Sequence, residues 1–220
     1  YYFIMTERPF MRYILNSFVI SVCTMVFAVV IAAMASYALS RLKFRNRGLI
    51  LASILAISMF PNISMISPIY MTISNLGLRN TWLALIIPNL SFAMPMSVWY
   101  LTTFFRTIPF ELEEAAKVDG ATPLQALIRV IIPLVAPGTF TTAILIFIMV
   151  WNEYLFALTI NTDDLWRTVT VGITMFRGEF EMPWVEQAAA IITVTIPIAV
   201  MVLVLQKPII SGLTSGAVKG

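Results

Sequence analysis

Residues 111–133 read ELEEAAKVDGATPLQALIRVIIP, the most polar stretch of a very apolar chain. Thr107-Ile108-Pro109 precedes it and predicts a helix start, because proline at the first helical position gives up an N–H that has no partner there anyway. Glu111, Glu113 and Glu114 then sit at the positive end of the helix dipole. Gly120 falls where a left-handed C-terminal cap favours a residue without Cβ. Thr122-Pro123-Leu124-Gln125 reads as a capping box that opens a second helix. That helix is expected to stop before Pro133, since the residue preceding proline avoids the α region. The stretch thus spells helix, glycine turn, helix. The first helix is too short to stand alone in water and needs a partner surface. Leu112, Ala115, Ala116 and Asp119 share one side by their spacing, and the small alanine pair admits a close neighbour. The spacing fits both docking on a separate protein and packing of a re-entrant turn on its own bundle.

Outward from this hairpin the chain is greasy. Of 220 residues 60% are hydrophobic and 11% charged, with a mean hydropathy of +0.90, where a soluble domain carries about 25% charged residues. The chain therefore belongs to the membrane class. A net charge of +3 fits topology signals better than a nucleic-acid patch. There is no histidine, and the single cysteine, Cys23, lies in an apolar run. An intrachain disulfide and a Cys/His zinc site are thus excluded, and Cys23 reads as a packing or lipid-facing residue.

Residues 13–40, 48–78, 80–105, 130–152 and 187–206 contain no charge. Each run is long enough to cross a hydrocarbon core of about 30 Å as helix, and none alternates as barrel strands do. The expected fold is all-α, a polytopic transmembrane helical bundle in one domain. Its five spans fall near 14–40, 49–75, 81–105, 138–160 and 188–206. The connectors 41–47 and 106–137 and the tail 207–220 carry nine Lys/Arg, against five in the N-terminal segment, the turn 76–80 and the loop 161–187. The positive-inside rule puts the first set in the cytoplasm and the loop 161–187 outside. Pro61, Pro68, Pro88, Pro95 and Pro197 interrupt spans. In a membrane such breaks persist where neighbours or a watery cavity satisfy the freed backbone, so 49–75 and 81–105 are expected to line a pathway, with Asn62, Ser64 and Ser67 beside the breaks.

The hairpin also carries a resemblance. Glu114-Ala115-Ala116, three residues, Gly120, nine residues, then Val130-Ile131-Ile132-Pro133 is similar to the cytoplasmic EAA loop of ABC importer permeases, with Val130 and Ile132 in place of the usual Ile and Leu. WNEYLFAL at 151–158 and SGLTSGAVKG at 211–220 resemble the carbohydrate branch of that family, in particular its maltose-type partner permeases. The resemblance implies a type I importer permease in the cytoplasmic membrane of a prokaryote. The 109–121 helix would be a coupling helix, with Glu114, Ala115, Ala116, Asp119 and Gly120 at a cleft of a cytoplasmic ATPase. In the maltose-type permeases the C-terminus reaches between the two ATPase subunits, which puts Thr214, Ser215 and Gly216 there. The implied partners are a second permease subunit in a heterodimer, two ATPase subunits, an extracytoplasmic sugar-binding protein and membrane lipid. This chain would hold no cofactor or metal of its own. It lacks a G-x-x-x-x-G-K-S/T phosphate loop, so ATP and Mg belong to the partner ATPase.

Glu153, with Asn152 beside it, is the one carboxylate close to a span. A charge at mid-bilayer costs about 2.5–3.5 kcal/mol, so Glu153 is expected to face a cavity or another helix. It serves there either as a pathway group or as a structural pair. Trp82, Trp166 and Trp184 lie at expected outer boundaries, as belt or docking residues. Asp163, Asp164, Glu179, Glu181 and Glu186 give the loop 161–187 a mixed charge that suits a binding protein or plain solvent. An intramembrane enzyme lacks its paired catalytic groups here. An ion- or proton-coupled carrier, the remaining alternative, would show several intramembrane ionisable groups and has no use for the EAA hairpin. The carried sugar stays open among maltose- or trehalose-like disaccharides, other oligosaccharides and glycerol phosphates. Because residues 1–13 hold no signal sequence, a sixth transmembrane helix is expected upstream of Tyr1, giving both ends inside.

Overall fold

The computed structural model describes residues 9–42, 45–175 and 184–217, with side chains as far as residue 204. Among these residues there is helix and no strand. Four helices are long and apolar enough to cross a membrane: α1 (Phe10–Arg41), α4 (Leu83–Thr107), the pair α7 (Ala136–Trp151) and α8 (Leu155–Ile160), and the Trp184–Val204 part of α10 (Trp184–Ala217). A fifth is bent. α2 (Arg47–Ser58) and the segment containing α3 (Ile66–Asn75) meet at 83°. The bend falls at Pro61, followed by a 3-10 turn over Asn62–Met65. Three short helices complete the chain: α5 (Glu111–Val118), α6 (Pro123–Leu134) and α9 (Val169–Thr174).

α1 is the hub, packing against both α4 and α7. Between Ser17 and Ser36 the residues it turns inward are small apart from Ile20: Ser17, Ser21, Thr24, Ala28, Ala32 and Ser36 are all buried. Its outward residues are large and apolar, with Phe27 54% and Met34 62% exposed. A water-soluble helix distributes these the other way round. In lipid, where tails are as apolar as leucine, helices associate by close backbone approach and interhelical hydrogen bonds. Ser36 supplies such a bond, donating to the Val98 carbonyl of α4 at 3.0 Å. Cys23 packs partly buried against the same core.

Several sequence expectations need correction. Pro88 and Pro95 do not break α4, which runs unbroken through both; only the Pro61 region bends. The expected span 138–160 is interrupted instead, at residues 152–154. Where the tail was expected from 207, the helix that begins at Trp184 continues to Ala217.

The end of the bundle away from α5 is cross-braced by buried amides. Asn16 of α1 donates to the carbonyls of Leu165 and Arg167, both at 2.9 Å, and accepts from Trp82 Nε1 at 2.9 Å. Asn161 donates to the carbonyls of Thr81 and Trp166 and accepts from the Asn80 amide. Trp82 and Trp166 meet edge-on at 5.8 Å, with the Arg12 guanidinium over both rings. These two tryptophans are packed together rather than left as a belt, whereas Trp184 is 72% exposed. Asp163 accepts from the Leu165 amide and Asp164 pairs with Arg167 at 2.8 Å. Glu179 and Glu181 lie outside the described residues.

Candidate coupling site

α5 starts two residues later than the sequence suggested. The Phe110 carbonyl accepts from the amides of Glu113 and Glu114 at 3.0 and 3.2 Å, which leaves Pro109 just outside the helix. The C-terminal end follows the expectation. Gly120 has φ of +85°, its amide donates to the Lys117 carbonyl, and the Ala121 amide donates to the Ala116 carbonyl. This is the double-bonded left-handed cap that satisfies the last carbonyls. The capping box of α6 is also present. The Gln125 amide donates to Thr122 Oγ1 at 3.3 Å and the Thr122 amide donates to Gln125 Oε1 at 2.9 Å.

α6 does not stop before Pro133. It widens into a π turn over Leu127–Ile131 and carries on to Leu134. A proline ring clashes with the carbonyl four residues back in a regular α turn, and a wider turn shifts that register. The chain thereby passes from α6 to α7 almost without leaving helix.

Of the face that the spacing left open to a separate protein or to the bundle, only Ala116 turns towards the bundle. Glu113 and Ala116 are buried, while Leu112, Glu114, Ala115 and Asp119 are exposed and Val118 is 88% exposed. The EAA triplet is therefore split, with Glu114 and Ala115 outward and Ala116 inward. Three of the four residues expected on one face point to solvent. The fourth sits on the bundle side because a buried carboxylate, not an apolar stripe, anchors the helix.

That carboxylate, Glu113, was missed at the sequence level. Its side chain is 2% exposed. Oε1 accepts from Tyr37 Oη and from Lys117 Nζ, each at 2.9 Å, and Oε2 faces Arg41 Nε at 3.5 Å. Arg41 also donates to the carbonyls of Phe105 and Ile108 at 3.2 and 3.0 Å, where α4 ends and a cation is favoured. Phe110 lies under both cations at 5.6 and 5.7 Å. Removing one member of a buried ion pair leaves an uncompensated charge, at about 3–5 kcal/mol. The one available signal was a matched spacing: Tyr37 and Arg41 lie four apart on α1, as do Glu113 and Lys117 on α5.

The expected pathway residues are not brought together around one cavity. Asn62 and Ser64 are exposed on the 3-10 turn. Between the bent pair and α4 lies a cavity of about 530 Å³, lined by Phe60, Pro68, Ile87, Pro88, Phe92 and Pro95 among others. Neither Asn62 nor Ser64 borders it. Asn152 is exposed and donates to the Ile148 carbonyl at 2.7 Å. Glu153 caps α8, Oε1 accepting from the Phe156 amide at 2.7 Å and Oε2 from the Ala157 amide at 3.1 Å. Thr214, Ser215 and Gly216 fall within the last turns of α10, and their side chains lie outside the described residues.

A helical bundle with a short, glycine-capped helix at one end, its outer face exposed, fits an importer permease, and comparison with known proteins agrees. Residues 18–210 match the family described as binding-protein-dependent transport system inner membrane component, and the chain belongs to that family. It is 48% identical over 209 residues to a trehalose transport system permease protein, SugB, of Mycobacterium tuberculosis, covering 94% of this chain and 76% of the relative. It is 43% identical to a trehalose/maltose transport system permease protein, MalG, of Thermococcus litoralis, covering 96% and 76%. Among solved structures, a bacterial ABC transporter involved in import of the polysaccharide alginate superposes with a TM-score of 0.75 at 26% identity, covering 93% of this chain and 76% of that one. The chain is thus a multi-pass inner-membrane permease subunit of an ABC importer, working with ATPase and binding-protein partners. ATP hydrolysis is done by the separate ATPase subunits, and the ion-coupled carrier reading is not favoured.

Proposed function

We propose that this chain forms half of the translocation pathway of a disaccharide importer, paired with a second, different permease subunit, and that it carries a sugar of the trehalose or maltose kind. The outer face of α5 (Glu114, Ala115, Val118, Asp119) docks in the cleft of one ATPase subunit, and the residues around Thr214, Ser215 and Gly216 meet the ATPase pair. ATP and Mg are held there and not in this chain. ATP-driven closure of the two ATPase subunits pushes α5 and rocks the permease halves between inward and outward access. The observation that carries this reading is the isolation of α5: buried only at Glu113 and Ala116, capped at its glycine end, and exposed elsewhere. The sugar is argued from the two relatives named for trehalose and maltose. Asn62, Ser64, Asn152 and Glu153 are assigned no direct sugar contact here. Glu153 is engaged by backbone amides, and the other three face away from the described cavity.

The test is reconstitution. The chain, its partner permease, the ATPase and the binding protein are assembled in proteoliposomes with ATP on the ATPase side. ATP-dependent accumulation of labelled trehalose or maltose, abolished without the binding protein, is expected. Accumulation driven by a proton or sodium gradient without ATP would overturn the reading.

A further inference from the structure

We propose that Glu113 is the joint through which movement of α5 reaches α1 and α4 together, a positioning role for a residue just outside the EAA triplet. The inference rests on reading α5 as the element gripped by the ATPase. The backbone on either side of α5 is poorly suited to passing on a push. Before it, Ile108 is extended with φ of −81° and ψ of 124°. After it, Gly120 is left-handed and Thr122 extended. Non-helical segments at both ends let a short helix pivot. What restrains α5 is its buried face, and that face consists of Ala116 and Glu113.

Ala116 offers only dispersion contact, which tolerates sliding. Glu113 offers directional bonds. Tyr37 donates a hydrogen bond to Oε1, and Arg41 holds Oε2 by charge at 3.5 Å without a hydrogen bond, both from the last turns of α1; Arg41 in turn donates to the carbonyls of Phe105 and Ile108 where α4 ends. One carboxylate therefore ties three elements. Lys117, from α5 itself, completes the cluster and leaves it with two cations to one anion. With Arg41 6% and Glu113 2% exposed, water competes little for these bonds, and the joint keeps its strength where a surface pair would be screened.

The experiment uses the complete transporter in proteoliposomes and reads three quantities: ATPase subunits retained, ATP hydrolysed and sugar taken up. Glu113→Gln and Arg41→Gln are each expected to retain the ATPase subunits but to lower sugar uptake per ATP at least fivefold. The double variant removes both buried charges and leaves only the half-exposed Lys117 without its partner, so thermal stability should largely recover. Its uptake per ATP should stay low, because the link is still cut. A double variant that regains coupling along with stability would overturn the proposal, as would an unchanged ratio in Glu113→Gln. Where Glu113→Gln fails to assemble, Tyr37→Phe decides: a ratio lowered at least twofold supports the joint, and an unchanged ratio overturns it. A native complex that neither binds the ATPase nor takes up sugar would instead overturn the importer reading, and the joint with it.

Discussion

Gly172 of α9 lies against the ring of Tyr13 on α1, and a Cβ at Gly172 would come within 2.4 Å of a ring carbon. Tyr13 is fully buried beside Phe10, their rings edge-on at 6.1 Å, so it has nowhere to turn. Gly172→Ala is expected to destabilise the subunit by about 1–3 kcal/mol, the usual range for overpacking, and to lower its thermal midpoint in detergent. Gly48, with open space around its Cβ position, is the matching control, and Gly48→Ala should not lower the midpoint.

Gly120 is a different kind of glycine. Nothing would meet its Cβ, so the cost of substitution lies in the backbone alone, about 1–2 kcal/mol for a left-handed residue with a side chain. Gly120→Val is expected to insert normally but to loosen the ATPase or uncouple hydrolysis from uptake. Gly120→Asn should be nearly silent, since Asn46 and Asn80 already adopt positive φ in this chain. Full coupling in the valine variant would refute the cap.

Glu153 holds the break between α7 and α8 by taking two backbone amides on one carboxylate. Bonds to a charged acceptor contribute about 1.5–3 kcal/mol. Glu153→Ala should lose about that much stability, whereas Glu153→Gln, with one acceptor oxygen left, should lose less. Equal melting of all three proteins would show that the cap carries no weight.

Asn16 satisfies three groups at once: two carbonyls of the 165–167 segment and the Trp82 indole. Asn16→Leu keeps the size and takes this partner from the Arg167 carbonyl and the Trp82 indole, while the Leu165 carbonyl keeps Arg12 Nε at 3.4 Å. A loss of about 2–4 kcal/mol is expected at roughly 1–3 kcal/mol for each buried group left unsatisfied, less than additively. Faster hydrogen exchange in residues 164–168 would locate the effect.

Deleting residues 214–220 is expected to change the rate of ATP turnover while the complex still assembles, as follows from placing Thr214, Ser215 and Gly216 at the ATPase pair. Unchanged turnover in the deletion variant would remove the tail from the coupling path.

What the sequence disclosed was local. The glycine cap and the capping box depend on residues within a few positions of each other, and both stand where the spacing put them. Pro133 was misread because a rule about α geometry says nothing of a π turn. The anchor of α5 was not legible because its deciding contact, Glu113 with Tyr37, joins residues 76 apart; without Tyr37 and Arg41 in view, an acid in a first turn looks like one more dipole partner. The pairing of Trp82 with Trp166 under Arg12 was likewise not legible, because it joins residues far apart in the chain.

The bend at Pro61 has a geometric outcome for the bilayer. At 1.5 Å per residue, α2 with its 12 residues and α3 with its 10 are about 18 and 15 Å long, and neither reaches across about 30 Å of hydrocarbon. Set at 83°, they cannot both stand upright. Where one stands as a post, the other lies close to the plane of the sheet of lipid. The closing carbonyls of α2 and the opening amides of the next turn then sit part-way down, where oil offers them no partners. A subunit alone in lipid would have to draw water to that elbow, and a neighbour laid against it would let the membrane there go dry.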